Sequence, residues 1–221
     1  MRREVSVRDV PAARAAVIAG LLRGRDLLAA IRAVPASERE QWVDAVLGID
    51  EPPPDEELPR GAVPYLPCAI DDVLAVVEAI AARQPDRATV FVDLGSGLGR
   101  VVLLVHLLAG IRTRGIEIQT SLVARARAIA SALSLEVELE HADVSAIDLA
   151  STAGDDTIYF LYAPFNGELL ARVLAQLESV ARRRAITVCT VGLPLEVPWL
   201  RARAPGAPSS QLALYDSEPR R

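Results

Sequence analysis

The chain has 221 residues, 51% of them hydrophobic, with 24 basic and 29 acidic side chains and a formal net charge of −5. That length suits one domain of ordinary size plus an extension, and the apolar content excludes long disorder away from the ends. The negative balance gives no general pull toward nucleic acid, and because every basic residue is arginine, Schiff-base and lysine general-base chemistry are excluded.

Cys68 and Cys189 stand far apart without metal-ligand spacing, so no metal site is expected and a reduced, cytoplasmic protein is the plain reading. Met1-Arg2-Arg3 is followed by Glu4 and Asp9 rather than an apolar stretch, unlike a secretory signal. The most apolar run, Val101 to Ile111, is too short to span a bilayer. No membrane partner is expected.

From about Val10 to Gly48 the pattern is helical. Ala12, Ala16, Ala19 and Leu22 recur at helical spacing, and Leu27, Leu28 and Ile31 mark a second segment. Ser37-Glu38-Arg39-Glu40 has the capping-box pattern, opening a helix that buries Trp42, Val46 and Leu47 and stops at Gly48. No chemistry is evident there. A helical cap, a homodimerisation element or a substrate-selecting lid are the roles open to it. Glu51-Pro52-Pro53-Pro54-Asp55-Glu56-Glu57 reads as a linker, since prolines resist helix and sheet and acids hold water. The chain thus divides into a helical extension (1–50), a Pro/acid-rich linker (51–62) and an α/β domain (63–221).

The last of these starts with Val63-Pro64-Tyr65-Leu66-Pro67-Cys68, a tyrosine bracketed by prolines. A helix with Ile70, Val73, Leu74, Val77 and Ile80 on its apolar face follows. Then comes the stretch that decides the class: Phe91-Val92-Asp93-Leu94-Gly95-Ser96-Gly97-Leu98-Gly99-Arg100. An apolar strand ends at an acid, gives way to three alternating glycines, and a helix begins at once. α/β folds approach a nucleotide-like ligand with bare backbone in this way. Dinucleotide sites want G-x-G-x-x-G/A, but here the third glycine comes one residue early and Arg100 occupies the small-residue position. The stretch resembles motif I of the class I S-adenosylmethionine (SAM) methyltransferases, whose glycine loop wraps the methionine end of the cofactor. Tyr65 and its prolines resemble the Y-x-P segment ahead of motif I in bacterial and mitochondrial protein-lysine methyltransferases, where it folds over the cofactor pocket.

Thr113 to Ile118 is a second strand ending in an acid, with Glu117 placed 22 residues beyond Gly95. A carboxylate there accepts both ribose hydroxyls, a feature SAM and NAD sites share. Leu122 to Leu133 forms a helix with Arg125 and Arg127 outward. Glu136-Val137-Glu138-Leu139-Glu140 alternates as an edge strand with one wet face should. His141-Ala142-Asp143-Val144 follows, resembling the motif whose acid takes the adenine amino group; a helix N-cap is the other role open to Asp143. Thr157 to Leu161 is a fourth strand, running into Tyr162-Ala163-Pro164-Phe165-Asn166. This exit loop should face the methyl, because chemistry in such sheets sits beyond the carboxyl ends of the strands. Nucleic-acid amino-methylases usually carry (Asp/Asn/Ser)-Pro-Pro-aromatic here, and this chain lacks the polar leader. Tyr-x-Pro-x-Asn instead looks like the loop of the lysine methyltransferases. A helix from Glu168 to Val180, a buried strand from Ala185 to Val191 and an antiparallel closing pair around Trp199–Arg203 and Gln211–Tyr215 complete the pattern.

The resemblance implies a Rossmann-like, doubly wound and mostly parallel sheet with an N-terminal helical extension, and SAM as cofactor. Gly95, Ser96, Gly97, Leu98 and Gly99 would line its methionine part and Asp93 its amino group. Glu117 and Ile118 would hold the ribose, Ala142, Asp143 and Val144 the adenine, with Tyr65 folded over them. Tyr162 and Asn166 would be catalytic, with Pro164 and Phe165 touching the acceptor. No His, Cys or Lys is placed to act as a strong base, which favours N-methylation of an amine that sheds its own proton. A protein lysine leads as acceptor and a small-molecule amine follows. A degenerate SAM-binding module or an NAD-type module is the competing class.

Overall fold

A computed structural model describes residues 9–86, 88–154, 156–203 and 211–217; the Pro/Gly/Ser stretch between the closing strands lies outside them. Seven strands form one sheet: β1 (Thr89–Leu94), β2 (Arg112–Glu117), β3 (Glu138–His141), β4 (Asp156–Leu161), β5 (Ile186–Val191), β6 (Leu200–Ala202) and β7 (Leu212–Ser217). Their spatial order is β3-β2-β1-β4-β5-β7-β6. The first five run parallel, and β7 pairs antiparallel with both β5 and β6. β3 is the outer strand expected of its alternation, with Glu138 and Glu140 paired to Arg114 on β2. The order reverses between β1 and β4, which opens the crevice used by ligands in this class of sheet.

The central strands are apolar on both faces, as parallel strands must be when helices cover each side. Residues alternate across β1 and β4. Phe91, Ile158 and Phe160 join the core under one helical layer, whereas Val92, Leu94, Tyr159 and Leu161 join the core on the other face. The first layer holds α4 (Ile70–Ala82), α5 (Arg100–Ala109) and α6 (Thr120–Ala132). The second holds one long helix, α7 (Gly167–Ala181), and a short 3₁₀ turn at Leu149–Thr152. No helix separates β5 from β6 among the described residues, so the two faces are covered unequally.

The amino-terminal part forms α1 (Val10–Ile18), α2 (Gly24–Ala33) and α3 (Ala36–Leu47). Their buried residues belong to the same apolar cluster as α4 and α5. This explains why α5 is apolar almost all round: Val101 to Val105 and Leu107 are all buried, because the helix lies between the sheet and the added layer. The added helices therefore direct much of their apolar surface inward.

Two local expectations are corrected here. The capping box at Ser37 does not form: α3 starts two residues earlier, after Pro35, with no side-chain cap. Glu40 is taken instead by a tertiary partner, described below. Gly48 does end α3, in the left-handed conformation. The segment read as a solvated linker is pinned to the sheet's carboxyl edge. Glu56 accepts from the amides of Thr120 and Ser121 at the start of α6, where the helix dipole favours an acid. Asp55 accepts from the side chain of Gln119 and from the amide of Tyr65. Further along, Gly61, Ala62 and Val63 pair with the loop after β4, through Asn166 N to Gly61 O (2.8 Å) and Val63 N to Pro164 O (3.1 Å). The acids find amide donors that local spacing does not show.

Candidate functional site

A cavity of about 270 Å³ opens at the carboxyl ends of β1, β2 and β4, at the point where strand order reverses. It meets the glycine loop at Gly95. Gly95 and Gly97 both have positive φ, at 90° and 53°, which costs an L side chain about 1–2 kcal/mol. Close contacts require glycine as well. A Cβ at Gly95 would stand 2.6 Å from Pro164 Cβ, and one at Gly97 would overlap the ring of Tyr65. The proline-bracketed tyrosine is therefore laid directly on the glycine loop.

Glu117 is the main polar anchor. Its Oε2 accepts from Gly97 N (2.9 Å), and Oε1 accepts from Ile118 N (2.8 Å) and Gln119 N (2.9 Å). The carboxylate is buried, lines the cavity and fixes the turn of the loop across 20 residues of chain. Oε1 is filled by its two amides, whereas Oε2 has room for a further donor. Asp143 lines the cavity from beyond β3 while its Oδ1 accepts from Ser145 N (2.8 Å), so it caps a turn and faces the cavity at once.

Asp93 lies deeper. With Gly95, Ser96, Tyr65 and Tyr162 it borders a small adjoining hollow of about 20 Å³. Its carboxyl is buried and has no hydrogen-bond partner among the described residues. Burial, and then the charge of Glu117, push it well above the usual carboxylate range. A buried acid without a donor suits a cationic or amino group arriving with a ligand. Burial also raises the Tyr65 phenol to about 12 and lifts that of Tyr162, so both are neutral hydroxyls near pH 7.

The other half of the cavity is uncharged. Tyr162, Pro164 and Phe165 from the loop after β4, Leu169 from α7, and Leu58 and Leu66 from the pinned strap form it. Ala163 holds a φ of 43°, a left-handed turn for a non-glycine residue just ahead of a proline. That turn aims the loop at the crevice.

Most of the expected site residues converge. Tyr65, Gly95, Glu117, Ile118, Ala142, Asp143, Val144, Tyr162, Pro164 and Phe165 line the main cavity, and Asp93 and Ser96 the hollow beside it. Gly97, Leu98 and Gly99 line neither: Gly97 serves through its amide, Leu98 is core, and Gly99 caps α5. Asn166 is not brought to the cavity. It is exposed and precedes α7 as its N-cap residue, which turns its side chain toward Gly61. His141 sits outside as well, against Ile118 O and Thr120 Oγ1. Sequence reading missed Leu58, Gln119, Leu169 and Gln211, which carry no motif and reach the cavity only through packing.

The sequence profile of the family described as "Histone methylation protein DOT1" matches residues 72–153, less than half of the chain. No curated protein matches. Among solved structures, the PH0226 protein of Pyrococcus horikoshii OT3 has a TM-score of 0.51 at 14% identity, covering 68% of this chain and 92% of that one. MtNAS, solved with MTA and tNA, has a TM-score of 0.53 at 17% identity, covering 66% of this chain and 59% of that one. The magnesium protoporphyrin IX methyltransferase of Synechocystis PCC 6803, solved with bound SAM, has a TM-score of 0.50 at 14% identity, covering 66% and 77%. The fold is the Rossmann-like fold of SAM methyltransferases. It carries the mostly parallel seven-stranded sheet and the glycine loop at the switch point.

Proposed function

We propose that the protein is a SAM-dependent methyltransferase acting on an amine, with a protein lysine as acceptor. The observation that carries this is the division of one cavity into a polar half and an uncharged half, meeting at the glycine loop. The DOT1 family profile and a methyltransferase neighbour solved with SAM support the cofactor, and a family described by histone methylation fits a protein acceptor.

SAM, when bound, supplies a sulfonium methyl for in-line displacement by a nucleophile. The residues present fit it: the glycine turns let Pro164 and Tyr65 close onto the loop beside the cavity, and buried Asp93 has no cationic partner among the described residues. Asp93 would take the amino group, Glu117 the ribose hydroxyls and Asp143 the adenine amino group. Tyr65 closes over the loop and keeps water from it.

Toward the acceptor, the chain's residues mainly orient and dry. An amine entering between Tyr162, Phe165 and Leu169 meets no carboxylate on that side, so desolvation disfavours its ammonium form. Aromatic faces tolerate the positive charge that develops on nitrogen. Among the described residues no histidine or cysteine lines this cavity, which fits an amine better than a hydroxyl or carbon acid needing a strong base. A four-carbon lysine stem suits an apolar passage.

Calorimetry with SAM and with NAD tests the cofactor: SAM binds and NAD does not. Labelled SAM offered with a proteome extract, with nucleic acid and with small metabolites tests the acceptor. Label is expected in protein, on lysine. Label confined to RNA, DNA or a small metabolite overturns the assignment.

A further inference from the structure

Arg100 begins α5, directly after the last glycine of the loop. A cation is poorly placed at a helix N-terminus, where the dipole is positive, and this one is only 7% exposed. Its Nη1 donates to Glu40 Oε2 (2.7 Å) and to the carbonyl of Cys68 (3.0 Å), and its Nη2 donates to Asp44. The second oxygen of Glu40 accepts from Ile70 N (2.6 Å), at the first turn of α4. Three elements meet at one guanidinium: the glycine loop's helix, α3 of the added layer, and the chain from Tyr65 to Ile70.

Stability alone does not account for this cluster. Asp44 Oδ1 and Arg100 Nε are buried with no partner. Burial is the largest influence on the Asp44 carboxyl and raises it, against the Arg100 charge and hydrogen bond that lower it, so desolvation works against the attraction of the pair. Well-packed apolar side chains would hold α3 to α5 at lower cost. What the cluster does provide is placement. Cys68 lies three residues beyond Tyr65, with Leu66 and Pro67 between, and Tyr65 and Leu66 wall both the cavity and the small hollow beside Asp93. Asp55 holds the Tyr65 amide from the other side.

We infer that Arg100, braced by Glu40 and Asp44 of the amino-terminal helices, is a positioning residue that sets Tyr65 over the glycine loop for cofactor binding. The added helical layer is then a working part of the cofactor site rather than an appendage. The inference rests on the SAM reading above.

The test starts with SAM calorimetry on the wild-type protein. Absence of binding there removes the cofactor reading itself, and each later result bears on Arg100 alone. Arg100→Lys keeps the charge but loses the planar fork that reaches Cys68 O and both acids together. SAM affinity is expected to fall about tenfold, within the coupling found for residues of one hydrogen-bond network. Arg32→Ala removes an exposed pair with Glu78 that also ties the added layer to α4, and it leaves affinity unchanged. A double-mutant cycle separates positioning from bulk destabilisation. If Arg100 acts through Tyr65, then Tyr65→Ala and Arg100→Lys together cost about as much as Tyr65→Ala alone. Independent, multiplying losses overturn the inference, as does wild-type affinity in Arg100→Lys. Should Arg100→Lys fail to fold, Glu40→Gln enters the cycle in its place under the same criteria.

Discussion

The two halves of the cavity are built by different means. Around β1 and β2 the wall consists of backbone amides, glycines without Cβ and carboxylates already locked by hydrogen bonds: Glu117 alone takes three amides. Around β4 the wall consists of side-chain bulk from Tyr162, Pro164, Phe165 and Leu169, without a charged group among the described residues. On the proposed reading the first half recognises the cofactor by donors and acceptors held in advance, and replacing Glu117 leaves three amides without their acceptor. On the same reading the second recognises shape and excludes water, so its replacements should be graded and should act on the acceptor.

The sharpest way to break this contrast is Gly97→Ala. The added methyl group meets the Tyr65 ring in a left-handed backbone conformation, and SAM affinity should drop by about 100-fold or more in a calorimetric titration. Next comes Glu117→Gln, which removes charge-assisted acceptors from the loop and, on the proposed reading, from the ribose as well. A loss of about 1.5–3 kcal/mol in SAM binding is expected. A loss under about 0.5 kcal/mol would show that the locked half is not the cofactor half.

On the uncharged side, Tyr162→Ala should lower kcat/KM for the acceptor by about 10-fold to 30-fold while SAM affinity stays within about twofold. Asn166→Ala, outside the cavity, should change either quantity by less than about twofold. Equal losses in the two variants would return Asn166 to the site.

Asp93 offers a pH test of the polar half. Its folded pKa is raised, so the folded state retains a proton that the unfolded chain has already released. Its contribution is fully present below the ordinary carboxylate value and is lost as pH rises toward the folded pKa. Melting of the SAM-free protein, followed from about pH 5 to pH 8, should therefore favour Asp93→Asn by a few degrees, increasingly with pH. SAM should reverse that order by giving the wild-type carboxylate its cation. The smallest effect is expected from Glu56→Ala on the exposed strap. Hydrogen exchange should quicken at the first amides of α6 and along residues 55–65, with global melting little changed. A variant indistinguishable from wild type in that exchange would mean the strap is held by its pairing with the loop after β4 alone.

Legibility in the sequence followed the range of the forces involved. The sheet, its strand ends and the acids Asp93, Glu117 and Asp143 were readable because each depends on a short pattern. Apolar runs bury on both faces, glycine takes positive φ, and a carboxylate stands at or just beyond the carboxyl end of a strand. The closing antiparallel pair was expected from the resemblance to the methyltransferase sheet rather than from a local pattern. Asn166 misled because the loop spacing does not reveal that the chain has already turned into α7. Ser37 misled because a capping pattern is only an option, and Glu40 had stronger partners in Ile70 N and Arg100.

By itself, then, the sequence determined the parallel sheet, the glycine turn and the side of the sheet on which a ligand must lie, since local conformation and burial dictate all three. Tertiary structure decided which distant residues complete the site. Glu40 meets Arg100 across 60 positions and Asp55 meets Gln119 across 64. The physical reason is that a buried charge or an open helix end accepts whichever complementary group packing brings near, and spacing along the chain carries no record of that choice.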